Sequence, residues 1–340
     1  MIEVERYGGT EEEWNEFAAT QNGASHFHQF RWRALMERVF RHECIYLAAR
    51  GWDGELLGVL PLVRVRSLVF GHYLVSMPFL NYGGPLGTPE AVRALVDEAS
   101  ALARMERVKL LELRSRIPLP VSIPASHRKI TLVLDLPDSA DALMSRFSAK
   151  LRSQIRRPQK AGVTVRFGIA EVEPFFAVFS RHMRDLGTPT QPLELFRSIA
   201  DQFSEDCWFA CAYYKDEPVA AGCGFRFGGE FEMTWASSLR EFNVHSPNML
   251  LYWECMRRAI NEGLTCFNFG RCSPGSGTHR FKLQWGSREV PLWWYGIPAG
   301  TSAITPSPQH GPFRWAPSLW RYLPASVATR IGPPIVRYIP

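Results

Sequence analysis

Apolar and polar positions along the chain follow one succession twice. Residues 44–49 and 56–66 are apolar runs of strand length flanking Trp52, Asp53 and Gly54, and the Asp-Gly pair predicts a hairpin turn between them. Thr88 and Pro89 then open a helix whose apolar positions Val92, Leu95, Val96, Ala99, Leu102 and Ala103 recur at helical spacing, and the strand-like VKLLELRS follows. Further on, runs 207–214 and 219–227 flank the turn Lys215-Asp216-Glu217-Pro218, and a third strand covers 230–239. Ser246 as N-cap and Pro247 at the first turn then start a helix carrying Met249, Trp253, Met256 and Ile260 on one face. Gly263 closes it, and the strand LTCFNFG comes next. Hairpin, capped helix and strand thus recur at an interval of about 160 residues, the trace of two copies of one mixed α/β unit. A helical region with Trp14, Phe17, Trp32, Leu35 and Val39 precedes the first copy. Between the copies, the alternating strand Ile130, Leu132, Leu134 gives way to a Pro-Asp turn near Asp135 to Asp141. The expected domains are 1–137 and 138–300, with 301–340, which holds eight prolines, as an appendage.

Composition agrees with two cores. At 340 residues and 46% apolar content the chain exceeds what one core usually serves. The net charge of +6 is concentrated in residues 301–340, where four arginines stand without an acid, leaving 35 basic against 33 acidic residues elsewhere. A nearly neutral body argues against broad binding of duplex DNA, which is driven by phosphate neutralisation. Seven cysteines lie mostly in apolar runs without paired C-x-x-C spacing, the start MIEVERYGGTEEEW is acidic where an export signal is basic and then apolar, and residues 67–89 are too polar to span a bilayer. The expectation is a cytoplasmic protein with reduced thiols.

Three stretches carry chemistry. From Ala142 to Ala170 there is no acid, whereas Arg146, Lys150, Arg152, Arg156, Arg157, Lys160 and Arg166 supply seven cations. Leu143, Phe147, Leu151 and Ile155 recur every fourth residue, so one helix is expected to bury that stripe and hold its cations on the flanks, with Pro158 ending or kinking it and presenting Lys160 from a loop. Such a helix is either a solvated basic face or a grip on phosphate through Lys150, Arg152, Arg156 and Lys160. The second stretch runs from Asn268 through Arg271, Cys272 and a Gly-Ser loop to His279, Phe281 and Lys282, returning as an aromatic strand through Trp285. Acyl transfer to an amine requires positive charge for the oxyanion and a proton route, for which Lys282, Arg271 and a histidine (His182, His245 or His279) are candidates. The third is the loop Asn81, Tyr82, Gly83, Gly84, Pro85, whose glycines permit close approach of backbone to a ligand. No G-x-S-x-G, Walker, H-E-x-x-H or dinucleotide fingerprint is present, and no metal site is expected.

Taken together, VLPLVRVRSLVFG, SMPFLNYGG, FSAKLRSQIRRPQKAGV, the RDLGTP segment at Arg184 to Pro189, SPNMLLYWE and FNFGRCSPGSGTHRFKLQWG resemble the FemAB-like proteins of the acetyltransferase superfamily, in particular those accompanying exosortase and exopolysaccharide systems. The resemblance implies two tandem GNAT-like α/β domains and an N-acyltransferase moving an aminoacyl or acyl group to a nucleotide- or lipid-linked amine acceptor. It also implies that Phe281 and Lys282, as a Phe-Lys pair on a late strand, stabilise developing charge. By the same resemblance Lys150, Arg152 and Arg156 lie in a substrate-phosphate region, and the donor is acyl coenzyme A or aminoacyl-tRNA. Residues 243–247 lack the Q/R-x-x-G-x-G/A loop that presents backbone amides to coenzyme A pyrophosphate. Two other readings are a coenzyme A-dependent acetyltransferase and a non-catalytic module for envelope polysaccharide assembly. The tail, with Phe313, Trp315, Leu319, Trp320, Tyr322 and Leu323 among four arginines, reads as a strap over the body or as a peripheral membrane contact.

Overall fold

The computed structural model describes residues 2–67, 69–298 and 316–339. The chain divides into two compact units: one made of Met1–Lys129, Pro291–Gly311 and Arg337–Pro340, the other of Ile130–Val290 and Pro312–Val336. The division differs from the expected one after Pro137 in two respects. Ile130–Asp135 pairs with strands of the second unit, and residues after 290 return to the first. A hydrogen-bonded strand is assigned by its ladder partner, which lies more than a hundred residues away in both cases and leaves no mark in local pattern.

The first unit contains β1 (Glu3–Arg6), α1 (Glu11–Thr20), α2 (Trp32–Arg38), β2 (Glu43–Arg50), β3 (Leu56–Ser67), β4 (Gly71–Ser76), β5 (Leu86–Gly87), α3 (Pro89–Met105), β6 (Leu110–Ser115) and β7 (Ala125–Ser126). The second has β8 (Ile130–Asp135), α4 (Ala140–Arg146), α5 (Ala149–Lys160), β9 (Thr164–Phe167), α6 (Val172–Leu186), α7 (Leu193–Gln202), β10 (Cys207–Tyr214), β11 (Glu217–Phe227), β12 (Glu230–Ser238), α8 (Pro247–Asn261), β13 (Cys266–Cys272), α9 (Gly277–Leu283) and β14 (Arg288–Pro291). β15 (Trp293–Pro298) rejoins the first sheet, and α10 (Ala316–Trp320) and α11 (Ala325–Val336) close the chain. The sheets run β1-β2-β3-β4-β6-β15-β7, with β5 on β3, and β14-β8-β13-β12-β11-β10-β9.

The expected hairpins are β2-β3 and β10-β11, both antiparallel. In the first unit α3 starts with the Thr88 hydroxyl accepting from the Ala91 N–H and buries Ala91, Val92, Leu95, Val96, Ala99 and Ala103. It lies so close to β3 that a Cβ on Gly58 would stand 2.9 Å from that of Ala91. In the second unit α8 is apolar on most sides and buries ten residues, among them Leu251, Tyr252 and Met256, in a core shared with α4, α5 and one face of the sheet. On the other face α6 and α7 form an aromatic cluster, Phe175, Phe179 and Phe196, against Phe209 and Trp235.

Three local expectations are corrected. The stripe Leu143, Phe147, Leu151, Ile155 is buried, yet it spans two helices, since Phe147 and Ser148 are extended and the Ser148 hydroxyl caps the Leu151 N–H at 3.2 Å. Pro158 lies inside the last turn of α5. The helix ends four residues later on left-handed Gly162, where Gly162 N–H reaches the Gln159 carbonyl and Val163 N–H that of Pro158, so Lys160 is helical and not on a loop. Ser246 precedes α8 but is itself left-handed (φ 54°) and provides no side-chain cap; Gly263 closes that helix as expected. Among the described residues no helix is long and apolar enough to cross a membrane.

Candidate functional site

Each unit contains one parallel strand pair near the middle of its sheet. In the second unit β12 and β13 pair only from Glu230, Phe231 and Glu232 to Cys266, Phe267 and Asn268, although β12 continues to Ser238 and β13 to Cys272. Past Glu232, β12 pairs with β11 alone among the described residues, and its other edge has no strand partner there. The Thr234 and Ser237 hydroxyls on this stretch are buried and have no hydrogen-bond partner, and the same holds for Asn248 Oδ1 in the first turn of α8. Ser237 lies on the same face of β12 as Trp235, which packs on Phe196 of α7, whereas Ala236 faces the core that holds α8.

The β13 side is closed by its own side chains. Asn268, fully buried, accepts from the Thr131 hydroxyl at 2.5 Å and from the Gly270 N–H at 2.8 Å, and donates to Glu230 Oε1 at 3.1 Å. Its hold on Gly270 accompanies the register break between Asn268 and Arg271 against β8 and a left-handed Gly270 (φ 70°), a conformation that favours glycine. The carbonyls of Gly270 and Arg271 then receive the Lys282 ammonium at 2.6 and 3.1 Å. Lys282 is 3% exposed, and burial lowers its pKa to about 8, with the Arg271 charge adding to the fall and Cys272 and Glu232 opposing it. Glu232, 1% exposed, stands on β12 directly across from Asn268. The arrangement is a cation, a carboxylate and an amide network at the point where two parallel strands part.

Lys282 and Phe281 are not on a strand. Ser276 caps His279 N–H at 3.1 Å and starts α9, a short helix in place of the expected return strand. Phe281 is packed edge-on to Tyr252, 5.1 Å between ring centres, and belongs to the core. His279 has both ring nitrogens engaged: Nδ1 accepts the Gly275 N–H at 3.0 Å, so Nε2 carries the proton, and it lies 2.8 Å from Glu289 Oε1. His182 Nδ1 lies 3.0 Å from the Ser238 carbonyl, and the His245 ring stacks on Tyr214.

On α5, Arg152 donates to the Phe147 carbonyl at 2.5 Å and so closes the end of α4. Lys150, Arg156 and Lys160, together with Arg146 and Arg157, are exposed and form no ion pair among the described residues. Asn81 and Tyr82 belong to the first unit and are buried there. Tyr82 packs edge-on to Phe27 and lies beneath the Arg116 guanidinium at 5.1 Å. The glycines after it bring the loop against the chain's own β6: Gly83 N–H donates to the Arg114 carbonyl at 3.0 Å, and a Cβ on Gly84 would meet that oxygen at 2.9 Å.

A cavity of about 450 Å³ opens on β10 and β11, lined by Trp208, Arg226, Arg258 and Glu262, but both arginines are paired with Glu262. All seven cysteines are free thiols, and burial raises the pKa of Cys44, Cys207, Cys211, Cys223 and Cys255, which leaves them poor nucleophiles. Among the described residues no cluster could hold a metal ion. The sequence reading missed Glu232, Thr234, Ser237 and Asn248. Glu232 had a signal, an acid between apolar Phe231 and Met233 in a stretch of strand length.

Residues 145–283 match the acetyltransferase (GNAT) domain family. A comparison with curated proteins finds no match. Among solved structures the chain is similar to FemX, with 15% identity over 87% of this chain and 97% of that one and a TM-score of 0.68. It is similar also to the C-terminal domain of a proposed lysylphosphatidylglycerol synthetase from Agrobacterium fabrum (13%, 84% and 90%, 0.57). A third likeness is to a tandem GNAT protein from the clavulanic acid biosynthesis pathway (14%, 89% and 100%, 0.53). The sequence match falls on the unit that holds Lys282 and the parted strands, and the structural likenesses extend over both units. Residues 145–283 thus carry the sequence of an acetyltransferase (GNAT) domain, and the chain as a whole has the fold of FemX and of the tandem GNAT protein.

Proposed function

We propose that the second unit transfers an aminoacyl or acyl group from a phosphate-bearing donor to an amine acceptor, with the donor's extended amide portion lying along the unpaired edge of β12. The observation that carries this is the parting of β12 from β13, with the Lys282 ammonium held on the β13 side by the Gly270 and Arg271 carbonyls. An extended amide chain can add to such an edge as a further strand would, pairing with backbone groups. Lys282, still mostly protonated at neutral pH, places positive charge where a tetrahedral oxyanion would develop. Arg271, close enough to lower the Lys282 pKa, adds to the same field. His279, with both ring nitrogens used, is assigned to holding the 273–276 loop and not to proton transfer. Asn81 and Tyr82 are assigned to the packing of the first unit. The exposed cations of α5 are assigned to the donor's phosphates, and Arg152 to joining α4 to α5.

Coenzyme A and aminoacyl-tRNA both fit a phosphate-bearing donor. The segment before α8 favours the second: a 3₁₀ turn at Arg240–His245 and a left-handed Ser246 stand where a glycine-rich amide cradle would present itself to a pyrophosphate. An envelope or exopolysaccharide role is the setting in which the resemblance of the sequence places such a reaction. Thermal-shift titration against acyl coenzymes A and charged tRNA tests the donor, because a ligand that binds only the folded state raises Tm. Stabilisation by charged tRNA that weakens in Lys150→Gln/Arg156→Gln/Lys160→Gln is the expected result. Stabilisation by an acyl coenzyme A that is indifferent to those three changes would overturn both the donor and the role of α5.

A further inference from the structure

The RDLGTP segment finds its place in how the tail is held. Left-handed Gly187 lets the Pro317 carbonyl approach to where a Cβ would stand 2.3 Å from it, the Arg184 guanidinium donates to the Leu323 carbonyl at 3.3 Å, and Gly332 lies against the Thr190 backbone. On α11 the inward residues are Ala328, Gly332 and Val336, one small or medium side chain per turn, which lets the helix lie close to α6. Residues 316–336 are therefore a strap on the second unit. Phe313 and Trp315, which also belong to the aromatic series of the tail, lie outside the described residues.

The outward side is the unexplained one. A helix facing water ordinarily shows charged and polar residues there. α10, α11 and the turn between them show Leu319 at 60% exposure, Tyr322 at 87%, Val327 at 41% and Ile331 at 40%, and their exposed charges are Arg321 and Arg330. Residues 301–340 contain no acidic residue. On α11 inward packing thus uses Ala328, Gly332 and Val336 and leaves Val327 and Ile331 outside, while Leu319 and Tyr322 stand out beside half-buried Trp320 and Leu323. Large apolar side chains interleaved with arginine, in a segment that has no acid of its own, are the composition that settles at a bilayer interface. The charge selects among occupants: an acid-free arginine surface repels a second copy of itself and is attracted to anionic lipid headgroups.

We infer that the outward face of α10, α11 and the turn that joins them docks the protein on an anionic phospholipid surface, with Leu319, Tyr322, Val327 and Ile331 entering the headgroup boundary and Arg321 and Arg330 pairing with lipid phosphates. This does not rest on the transfer chemistry, but it gives it a location: an acyltransferase so held meets amine acceptors anchored in the same bilayer. The test is flotation of the full chain with phosphatidylcholine vesicles prepared with and without phosphatidylglycerol, at low and high salt. The expected result is flotation only with the anionic vesicles, lost at high salt. Leu319→Asp/Ile331→Asp and Arg321→Gln/Arg330→Gln should each weaken it by roughly tenfold or more at unchanged Tm. No flotation, equal flotation with neutral vesicles, or binding that survives both paired changes would overturn the inference. So would a concentration-dependent dimer, without vesicle binding, that the same changes dissociate. A Tm measurement on each variant separates loss of docking from loss of fold.

Discussion

The two parallel strand pairs make an instructive comparison. In the first unit β4 and β6 pair over Tyr73, Leu74 and Val75 with Leu110, Leu111 and Glu112, then part much as β12 and β13 do. There the chain fills its own gap. The Ser76 hydroxyl accepts from the Arg114 N–H at 2.8 Å, Gly83 N–H donates to the Arg114 carbonyl, and the Arg114 guanidinium donates to the Leu80 carbonyl at 3.2 Å while paired at 2.6 Å with buried Glu112. Met77 and Phe79 adopt positive φ (53° and 70°) in that loop, a strain of order 1–3 kcal/mol each that the surrounding contacts must offset. In the second unit no such loop is spent, and the hydroxyls of Thr234 and Ser237 stay unpartnered. One fold element thus serves as a sealed core in one copy and as a polar, unpaired edge in the other. The difference comes from the residues after β4 and after β12: Met77–Pro85 in the first copy, a short 3₁₀ turn and a helix start in the second.

The largest test of this contrast is Lys282→Met. Removing the one buried cation at the open pair should lower transfer by about 10²–10³-fold, the loss typical of an oxyanion stabiliser. Full activity on an identified substrate would end the assignment. In the sealed copy, Gly84→Val brings a side chain against the Arg114 carbonyl and the Ser115 Cβ, 2.9 and 3.1 Å from the new Cβ. It should cost about 1–3 kcal/mol of stability, read as a lower denaturation midpoint, with the turnover of the folded fraction unchanged. A selective loss of turnover would mean that the first unit takes part in the chemistry.

The buried lysine has a pH signature. Its folded pKa of about 8 lies below the ordinary value of 10.5, so between those values the unfolded chain binds more protons than the folded one, and stability must rise with pH across that window. The gain, on the order of 3 kcal/mol when complete, should appear as a Tm difference between wild type and Lys282→Met that shifts in favour of wild type above about pH 8. Parallel curves would place the charge in water. Activity that needs the ammonium should fall over the same range. The smallest effect is expected at the orphan hydroxyls: Thr234→Val removes an unsatisfied group at constant shape, so the unliganded protein should be unchanged or up to about 1 kcal/mol more stable while donor affinity falls several-fold. Equal losses in stability and affinity would show that the hydroxyl serves the fold alone.

Much of the architecture was legible because it rests on short-range patterns. The hairpins, Thr88 at α3, Gly263 at the end of α8 and the alternation of β8 follow from two-residue and 3.6-residue periods and from turn chemistry, which act between neighbours. The period-four stripe was read correctly as buried and wrongly as one helix, because Ser148 can cap a new helix at no cost to the stripe. Lys282 and Arg271 were singled out by their residue types, yet what makes Lys282 chemically distinct, two strand carbonyls and full burial, depends on a left-handed Gly270 and an Asn268 side chain that breaks the ladder.

Local sequence, then, determined the elements, the duplication and the cation-bearing segments, since propensity, capping and amphipathic spacing are properties of stretches of ten to twenty residues. Tertiary structure decided which sheet received β8 and β15, which parallel pair was sealed and which stayed open, and which side of the tail faced outward. Each of these is settled by hydrogen bonds and contacts between segments far apart in the chain, and the free energy of such pairings resides in the partner's geometry, which no single segment encodes.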